Sequence, residues 1–265
     1  MGDDDGVGCG GAGARGWTAA AARPAAGGAR AAAAHVFVPD LEGPALDEAD
    51  RHHLGRVLRL RSGEAVSASD GRGGWRPCRW DGAALSPDGP IERSPSPQPA
   101  VTVAFAVPKG DRAEWAVQKL AEVGADRIIP LLADRSVVRW DAERGDRHTA
   151  RWAAVARQAA MQSRRLWLPR VEGPCAVSDI AGPGAALAEP GGAPPTLRHP
   201  TALIGPEGGW SERELASGLP TVGLGPTVLR TETAAVVAAA LLVALRAGSV
   251  AAAGEPDESG YRTVT

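Results

Sequence analysis

The chain has 265 residues, of which 44% are hydrophobic, and a formal charge of −2; at about 150 residues per domain this length suggests one or two domains, and the apolar fraction excludes a wholly disordered protein. The near-zero charge gives no global sign of a nucleic-acid partner, so an RNA footprint would have to be local. The three cysteines form no Cys-x-x-Cys pair, which disfavours a zinc ribbon or a disulfide framework and fits a reducing, cytoplasmic setting.

The first part of the chain changes from low complexity to strand patterns. Residues 1–34 are rich in Gly, Ala and Arg, and we predict that they form a disordered tail. Residues 35–93 contain short alternating runs separated by turn signals, with one helical segment at 48–58, which predicts a small β-barrel. The prolines over 86–99 predict an extended spacer, of which residues 94–99 form the interdomain linker.

The second part, residues 100–250, alternates apolar strands with helices, which predicts a parallel α/β sheet. Residues 182–200 are predicted to be mostly loop, and residues 251–265 a flexible tail. The longest apolar run has 12 residues, 234–245, whereas a membrane-spanning helix needs about 20. We predict strands at 101–107, 127–132, 202–205 and 221–224, and helices at 114–123, 146–165, 211–217 and 233–247.

A first candidate site follows a buried strand. Leu203 and Ile204 lead into Gly205-Pro206-Glu207-Gly208-Gly209, and Ser211 with Glu214 matches a capping box for a short helix. Glycines at the carboxyl end of a strand allow the backbone to approach a ligand closely. An ordinary tight turn is the alternative interpretation. The chain contains neither a dinucleotide fingerprint nor a phosphate-binding P-loop motif.

A second glycine segment, residues 224–234, also follows a predicted strand and precedes a helix. Arg230 and Glu232 stand just ahead of that helix, whose start favours anionic groups. Two such loops from one sheet suggest a shared pocket. The alternative is that this Arg-x-Glu pair is a surface ion pair, which contributes little to stability.

Two stretches are locally basic. Residues 146–170 hold six arginines and one aspartate, and residues 50–80 hold seven arginines and three acids. Such patches fit binding to a phosphate backbone, although arginine used as a general solvated residue would give the same pattern. His52 and His53 are adjacent, so their side chains diverge on a helix and no metal site is predicted.

Taken together, these segments resemble the 16S ribosomal RNA uracil-N3 methyltransferases, the RsmE family of the SPOUT superfamily. The matching residues run in order through nearly the whole chain after residue 34. They are residues 37–39, 53–59, 70–71, 118–124 with 129–130, 162–163 with Arg165 and Pro169, 204–209, and 224–225 with 229–234. The last two motifs are long and specific.

The resemblance implies a PUA-like β-barrel that helps to bind RNA, followed by a SPOUT methyltransferase domain with a trefoil knot. It implies S-adenosyl-L-methionine as cofactor, a homodimer, and 16S ribosomal RNA of the small subunit as partner, with no metal and no membrane. Three departures stand out: His35 where the family commonly has arginine, Gln158 in place of an acidic residue, and the Gly- and Pro-rich segment 182–200.

For the reaction that the resemblance implies, we predict roles for individual residues. Arg230 would stabilise the uracil as charge develops, and Glu232 could orient Arg230; Glu207, Glu232 or water would take the proton. The predicted cofactor-binding residues are Leu203, Ile204, Gly205, Pro206, Glu207, Gly208, Gly209, Leu224, Gly225, Leu229, Thr233 and Ala234. The predicted RNA-binding residues are His35, Arg56, Arg59, Gln162, Ser163 and Arg165. The alternatives are a non-catalytic RNA-binding protein and a SPOUT enzyme acting on another RNA, with a nicotinamide-dependent oxidoreductase a distant third.

Overall fold

The computed structural model describes residues 29, 31–138, 140 and 142–251. Most of the predicted N-terminal tail, and the predicted C-terminal tail after residue 251, lie outside these residues. The order of the chain starts before residue 35, because Ala29 and Ala32 are buried and the first strand begins at Ala34. No helix in this described part is long and apolar enough to cross a membrane.

The N-terminal region forms a five-stranded sheet. The first two strands are parallel and the remaining pairs antiparallel, in the order β1-β2-β3-β4 with β5 on β3. Its strands are β1 (Ala34–Phe37), β2 (Ala65–Ser69), β3 (Gly74–Trp80), β4 (Leu85–Pro87) and β5 (Glu92–Arg93), and its helix is α1 (Glu48–His52). The single helix predicted over 48–58 is instead α1 continued by a π-helical turn, His53–Val57. Strand pairing also extends into the predicted spacer, as far as Arg93.

The C-terminal region is a seven-stranded sheet in which every pairing is parallel, as predicted. The order is β12-β10-β11-β6-β7-β8, with β9 on β7. Its strands are β6 (Thr102–Ala106), β7 (Arg127–Leu132), β8 (Arg170–Val171), β9 (Cys175–Ala176), β10 (Ala185–Ala193), β11 (Thr201–Ile204) and β12 (Thr221–Val222). The prediction of loop over 182–200 is wrong for β10, which lies between β11 and β12.

Five helices accompany this sheet. They are α2 (Arg112–Val123), α3 (Ala142–Gln162), α4 (Val177–Ile180), α5 (Glu212–Leu215) and α6 (Thr231–Arg246). Alternate residues of β6 point to opposite faces: Val103 and Phe105 pack with α2, α3 and α6, whereas Ala104 packs with Ile129 and Leu203. A strand buried on both faces has no polar side, which explains its continuous apolar sequence. Gly124 ends α2 in the left-handed conformation, φ 109°, as predicted.

The two regions are joined by the end of α3 and the segment after it. Arg157 on α3 forms a two-pronged ion pair with the buried Asp50, with distances of 2.6 and 3.1 Å. The carbonyl of Leu166 accepts a hydrogen bond from the amide of Gly73, and the amide of Leu168 donates to the carbonyl of Gly71. The N-terminal five-stranded sheet is therefore fixed to the parallel seven-stranded sheet by directional contacts.

Candidate active site

The two glycine loops meet at the carboxyl edge of the parallel sheet, as predicted. The hydroxyl of Thr231, the first residue of α6, donates a hydrogen bond of 3.0 Å to the carbonyl of Gly205 at the end of β11. In open parallel sheets, ligands bind outside this edge. The loops enclose a cleft of about 230 Å³.

Most of the predicted cofactor-binding residues line this cleft. They are Ile204, Gly205, Pro206, Glu207, Gly209, Leu224, Gly225, Leu229 and Ala234. Three others do not: Leu203 is fully buried in the core, the carbonyl of Gly208 accepts a hydrogen bond from Arg135, and Thr233 lines a neighbouring groove.

The sequence interpretation missed one wall of the cleft. Ala188, Glu189 and Pro190 on β10 line it, but their segment had been predicted as loop. Trp210 also lines it; this side chain is 4% exposed, and its indole nitrogen donates a 3.0 Å hydrogen bond to the carbonyl of Ala188. The position of Trp210 directly after Gly208 and Gly209 was the feature of the sequence that could have indicated its place in this wall.

The glycines of these loops are required for different reasons. A Cβ atom at Gly205 would lie 3.0 Å from the Trp210 ring, so the missing side chain allows Trp210 to pack against the backbone. At Gly209 and Gly225 such an atom would meet nothing within 4 Å, but their φ angles are +71° and +144°. Side chains rarely adopt these angles, so backbone conformation selects glycine at both positions.

A cluster of polar side chains joins the segment that follows β7 to the start of α5. Asp134, which follows β7, accepts hydrogen bonds from Ser211 and Arg213, while its amide donates to the buried Glu214. The bonds from Arg213 and then Ser211 lower the pKa of Asp134. Ser211 and Glu214 also form the predicted capping box of α5. The cluster fixes the position at which the first glycine loop ends.

A second, more open groove of about 480 Å³ adjoins the cleft. Val228 and Leu229 line both. Its remaining lining residues are Arg112, Trp115, Arg230, Glu232 and Thr233. The predicted catalytic residues therefore face a space next to the predicted cofactor site.

Glu232 and Arg230 differ in their surroundings. Glu232 is 7% exposed, and its Oε2 atom is buried without a hydrogen-bond partner. Among the described residues, Glu232 pairs with Arg112, whose Nη1 atom lies 3.8 Å from Oε1, and no pair with Arg230 is formed, so the prediction that Glu232 orients Arg230 is not supported. Arg230 is exposed at the N-cap of α6, and in the described part of the chain no ion pair holds it.

Two of the predicted RNA-binding residues are internal. His35 is 4% exposed; its ring nitrogens lie 2.7 Å from the Ser67 hydroxyl and 2.9 Å from the Arg165 carbonyl. The Arg165 guanidinium donates to the carbonyls of Ala121 and Ala125 and pairs with Asp126 at 3.1 Å. Burial lowers the pKa of Arg165 to about 10. These contacts speak against the RNA contacts predicted for both residues.

The other predicted RNA-binding residues lie at the surface. Arg56 and Arg59 are exposed on and just after the π-helical turn, beside the exposed Val57 and Leu58. Gln162 is exposed at the end of α3, whereas the Ser163 hydroxyl donates to the Ala159 carbonyl at 2.8 Å. Among the residues described by the structure, no cluster of three or more His, Cys, Asp or Glu could hold a metal ion.

Comparison with known proteins decides the family. A family model described as an RNA methyltransferase domain matches residues 94–243, and a model described as an RNA methyltransferase PUA domain matches residues 46–79. Ribosomal RNA small subunit methyltransferase E of Mycobacterium bovis is 36% identical over 76% of this chain and 86% of its own length. The chain belongs to the ribosomal RNA small subunit methyltransferase E family.

The chain is also similar to a second enzyme of this name and to solved methyltransferase structures. The Synechocystis enzyme of the same name is 35% identical over 76% of this chain and 72% of its own length. The crystal structure of the Neisseria gonorrhoeae enzyme bound to S-adenosyl methionine has a TM-score of 0.66 at 26% identity, covering 80% of this chain and 97% of that one. A Legionella pneumophila methyltransferase in complex with the cofactor has a TM-score of 0.65, again at 26% identity, over 79% and 96%.

Proposed function

We propose that the protein transfers the methyl group of S-adenosylmethionine to N3 of a uracil in 16S ribosomal RNA of the small subunit. The observation that carries the proposal is the wall shared by the cleft and the groove. Val228 and Leu229 border both, so a donor in the cleft would lie next to an acceptor in the groove. Holding two reactants in such proximity is the main service that a methyl-transfer enzyme provides.

The cleft fits the cofactor chemically. When bound, S-adenosylmethionine supplies a methyl group that a sulfonium makes electrophilic. Ile204, Leu224 and Leu229 give the cleft an apolar wall suited to an adenine ring. Glu189 and Glu207 add two carboxylates to the lining, which suit a positively charged ligand.

The groove fits the acceptor. Uracil N3 carries a proton, and in a duplex it faces its pairing partner, so the base must be unpaired or flipped out of the stack. Glu232 lines the groove, and its Oε2 atom has no hydrogen-bond partner in the described part of the chain, whereas Glu207 is exposed at the cleft. We therefore assign the proton to Glu232. The free guanidinium of Arg230 would stabilise the negative charge that develops on the uracil oxygens.

The proposal also covers the knotted fold of the catalytic domain, the oligomeric state and the cellular compartment. The strand order β12-β10-β11-β6-β7-β8 and the likeness to the methyltransferase structures support a knotted SPOUT domain. The half-buried apolar residues Val237 and Leu241 on α6 support a homodimer, because such a stripe fits a second copy better than water. The enzyme would work in the cytoplasm, on the small subunit.

The direct test uses labelled S-adenosylmethionine and small ribosomal subunits from a strain that lacks the enzyme. We expect label in 16S ribosomal RNA, recovered as 3-methyluridine after digestion. A parallel reaction contains transfer RNA from the same strain, and label there but not in the small subunits would favour an enzyme acting on another RNA. No label, together with no heat on mixing the protein with S-adenosylmethionine in a calorimeter, would leave a non-catalytic RNA-binding protein.

A further inference from the structure

The carboxylate of Glu232 lacks a donor. Its Oε1 atom lies 3.8 Å from Arg112 Nη1, which is beyond hydrogen-bond length, and its Oε2 atom has no partner among the described residues. The residue is 7% exposed. A buried carboxylate without hydrogen bonds is unfavourable, so a ligand that brings a donor into the groove would complete it. Rotation about the last side-chain bond exchanges the two oxygens.

Arg112 places the N–H donors of its guanidinium group beside the Glu232 carboxylate. It is the first residue of α2 and its side chain is 50% exposed, yet it lines the same groove as Glu232. At 3.8 Å from the carboxylate, its guanidinium keeps N–H groups for a ligand, because no hydrogen bond to Glu232 is formed. The groove therefore presents an acceptor next to several donors.

We propose, on the basis of the function proposed above, that Arg112 and Glu232 read the pairing edge of the target base and select uracil over cytosine. Uracil carries an N3–H donor flanked by carbonyl oxygens. The N–H would donate to Glu232, and the carbonyl at C4 would accept from Arg112. Cytosine has an unprotonated N3 and an amino group in place of one carbonyl. Its acceptor would face the carboxylate, and its amino donor would face the guanidinium.

The same pair prepares uracil for reaction. As the N3–H bond breaks, its electron pair remains on N3 and the proton moves to the Glu232 carboxylate. The negative charge left on the base spreads onto the two carbonyl oxygens. A guanidinium beside one of them stabilises this anion, as donors do for other developing oxyanions. Selection thus depends on Arg112 and Glu232, and activation depends on these two side chains together with Arg230.

The test compares two kinds of small ribosomal subunit, one with the natural target uracil and one with cytosine at that position. The kcat/KM is measured on both with labelled S-adenosylmethionine, and cofactor affinity is measured by calorimetry. The variants are Arg112→Ala, Arg112→Lys and Glu232→Gln. Glu143→Gln is the control, since Glu143 is an exposed carboxylate on α3 that pairs with Arg147 at 3.9 Å and lies outside the cleft and the groove.

We expect Arg112→Ala to lower kcat/KM on uracil subunits about 100-fold, in the range seen when a single oxyanion donor is removed, with cofactor affinity unchanged. Arg112→Lys should restore part of the rate. Glu232→Gln should lower the ratio of kcat/KM on uracil to that on cytosine, because its amide cannot take the N3 proton of uracil, whereas it can donate a hydrogen bond to N3 of bound cytosine. An unchanged rate in Arg112→Ala, or a parallel loss of cofactor affinity, would overturn the base-reading role alone. Absence of 3-methyluridine with the unmodified enzyme would overturn the proposed function itself.

Discussion

The hydroxyl of Thr231 donates a 3.0 Å hydrogen bond to the carbonyl of Gly205, joining the first turn of α6 to the end of β11. Thr231 is 4% exposed. These two residues are 26 positions apart, and each belongs to one of the two glycine loops. The bond therefore holds the opposite walls of the cleft at a fixed separation.

Removing this bond should weaken cofactor binding. We expect Thr231→Ala to reduce the affinity for S-adenosylmethionine several-fold, because a typical hydrogen bond contributes about 1 kcal/mol. Thr231→Ser keeps the hydroxyl and should retain most of the affinity. Isothermal calorimetry measures both. Equal losses in the two variants would mean that the methyl group, not the hydrogen bond, holds the loops together.

Arg230 should act on turnover and not on cofactor binding. Arg230 lines the groove and not the cleft, so Arg230→Ala should lower kcat about 100-fold, as expected for the loss of a charge-stabilising donor. The dissociation constant for S-adenosylmethionine should stay within twofold. Single-turnover assays and calorimetry separate the two quantities. If both fall together, Arg230 supports the loop and does not contact the base.

Gly73 should be required for docking of the two regions. A Cβ at this position would lie within 2.6 Å of the Trp167 ring and closer still to the Ser94 carbonyl. Gly73→Ala should therefore destabilise the protein more than Gly82→Ala, since Gly82 also has positive φ but meets nothing within 4 Å. Urea unfolding of both variants isolates the steric cost from the conformational one. Equal costs would show that the clash relaxes freely.

The ion pair between Arg157 and Asp50 should contribute to stability. Hydrogen bonds from Arg157 to Asp50 raise the pKa of Arg157, and the Asp50 side chain is 2% exposed. Arg157→Ala leaves a buried carboxylate unpaired, which costs about 3 kcal/mol in comparable cases. Substituting both residues with Ala should recover part of that loss, whereas Arg147→Ala should change the free energy of unfolding very little. A double variant less stable than Arg157→Ala would contradict this account.

His35 should make stability depend on pH. Burial, together with the charge of Arg164, lowers the pKa of His35 from 6.5 to about 4, against the opposing effect of the hydrogen bond to the Arg165 carbonyl. Between these values the unfolded chain binds a proton that the folded protein does not. The free energy of unfolding should therefore fall as pH drops from 6.5 to 4, by at most about 1.4 kcal/mol per pH unit.

The His35→Gln variant tests this contribution. Its unfolding free energy, measured in urea at several pH values, should have a shallower slope across that window than the unmodified protein. His52→Gln serves as control, because His52 is exposed. The same slope in the His35 and His52 variants would assign the dependence to carboxylates.

Local sequence patterns correctly predicted the elements that depend on residues close together in the chain. The run Arg127–Leu132, the C-cap at Gly124 and the capping box of Ser211 with Glu214 all appear where the sequence predicts them. Each depends on residues within one turn or one strand. The pattern failed for β10, whose alanines and glycines have low strand propensity and which is a strand because β11 and β12 pair with it.

The contents of the site were only partly predictable for a similar reason. The glycine loops are contiguous motifs, so the sequence located them. The contact between Arg112 and Glu232 joins positions 120 residues apart, and no spacing rule indicates it. His35 and Arg165 are polar residues of the kind that bind RNA, and only the fold shows that they are buried.

The wall shared by the cleft and the groove also has a consequence for the binding of the two ligands. Val228 and Leu229 border both spaces. With the cofactor in the cleft and the RNA in the groove, as proposed above, a ligand that displaces either residue changes the space left for the other ligand. We therefore expect the affinities for cofactor and RNA to be linked, each ligand changing the binding of the other by the same factor, and we expect a substitution at Leu229 to alter both.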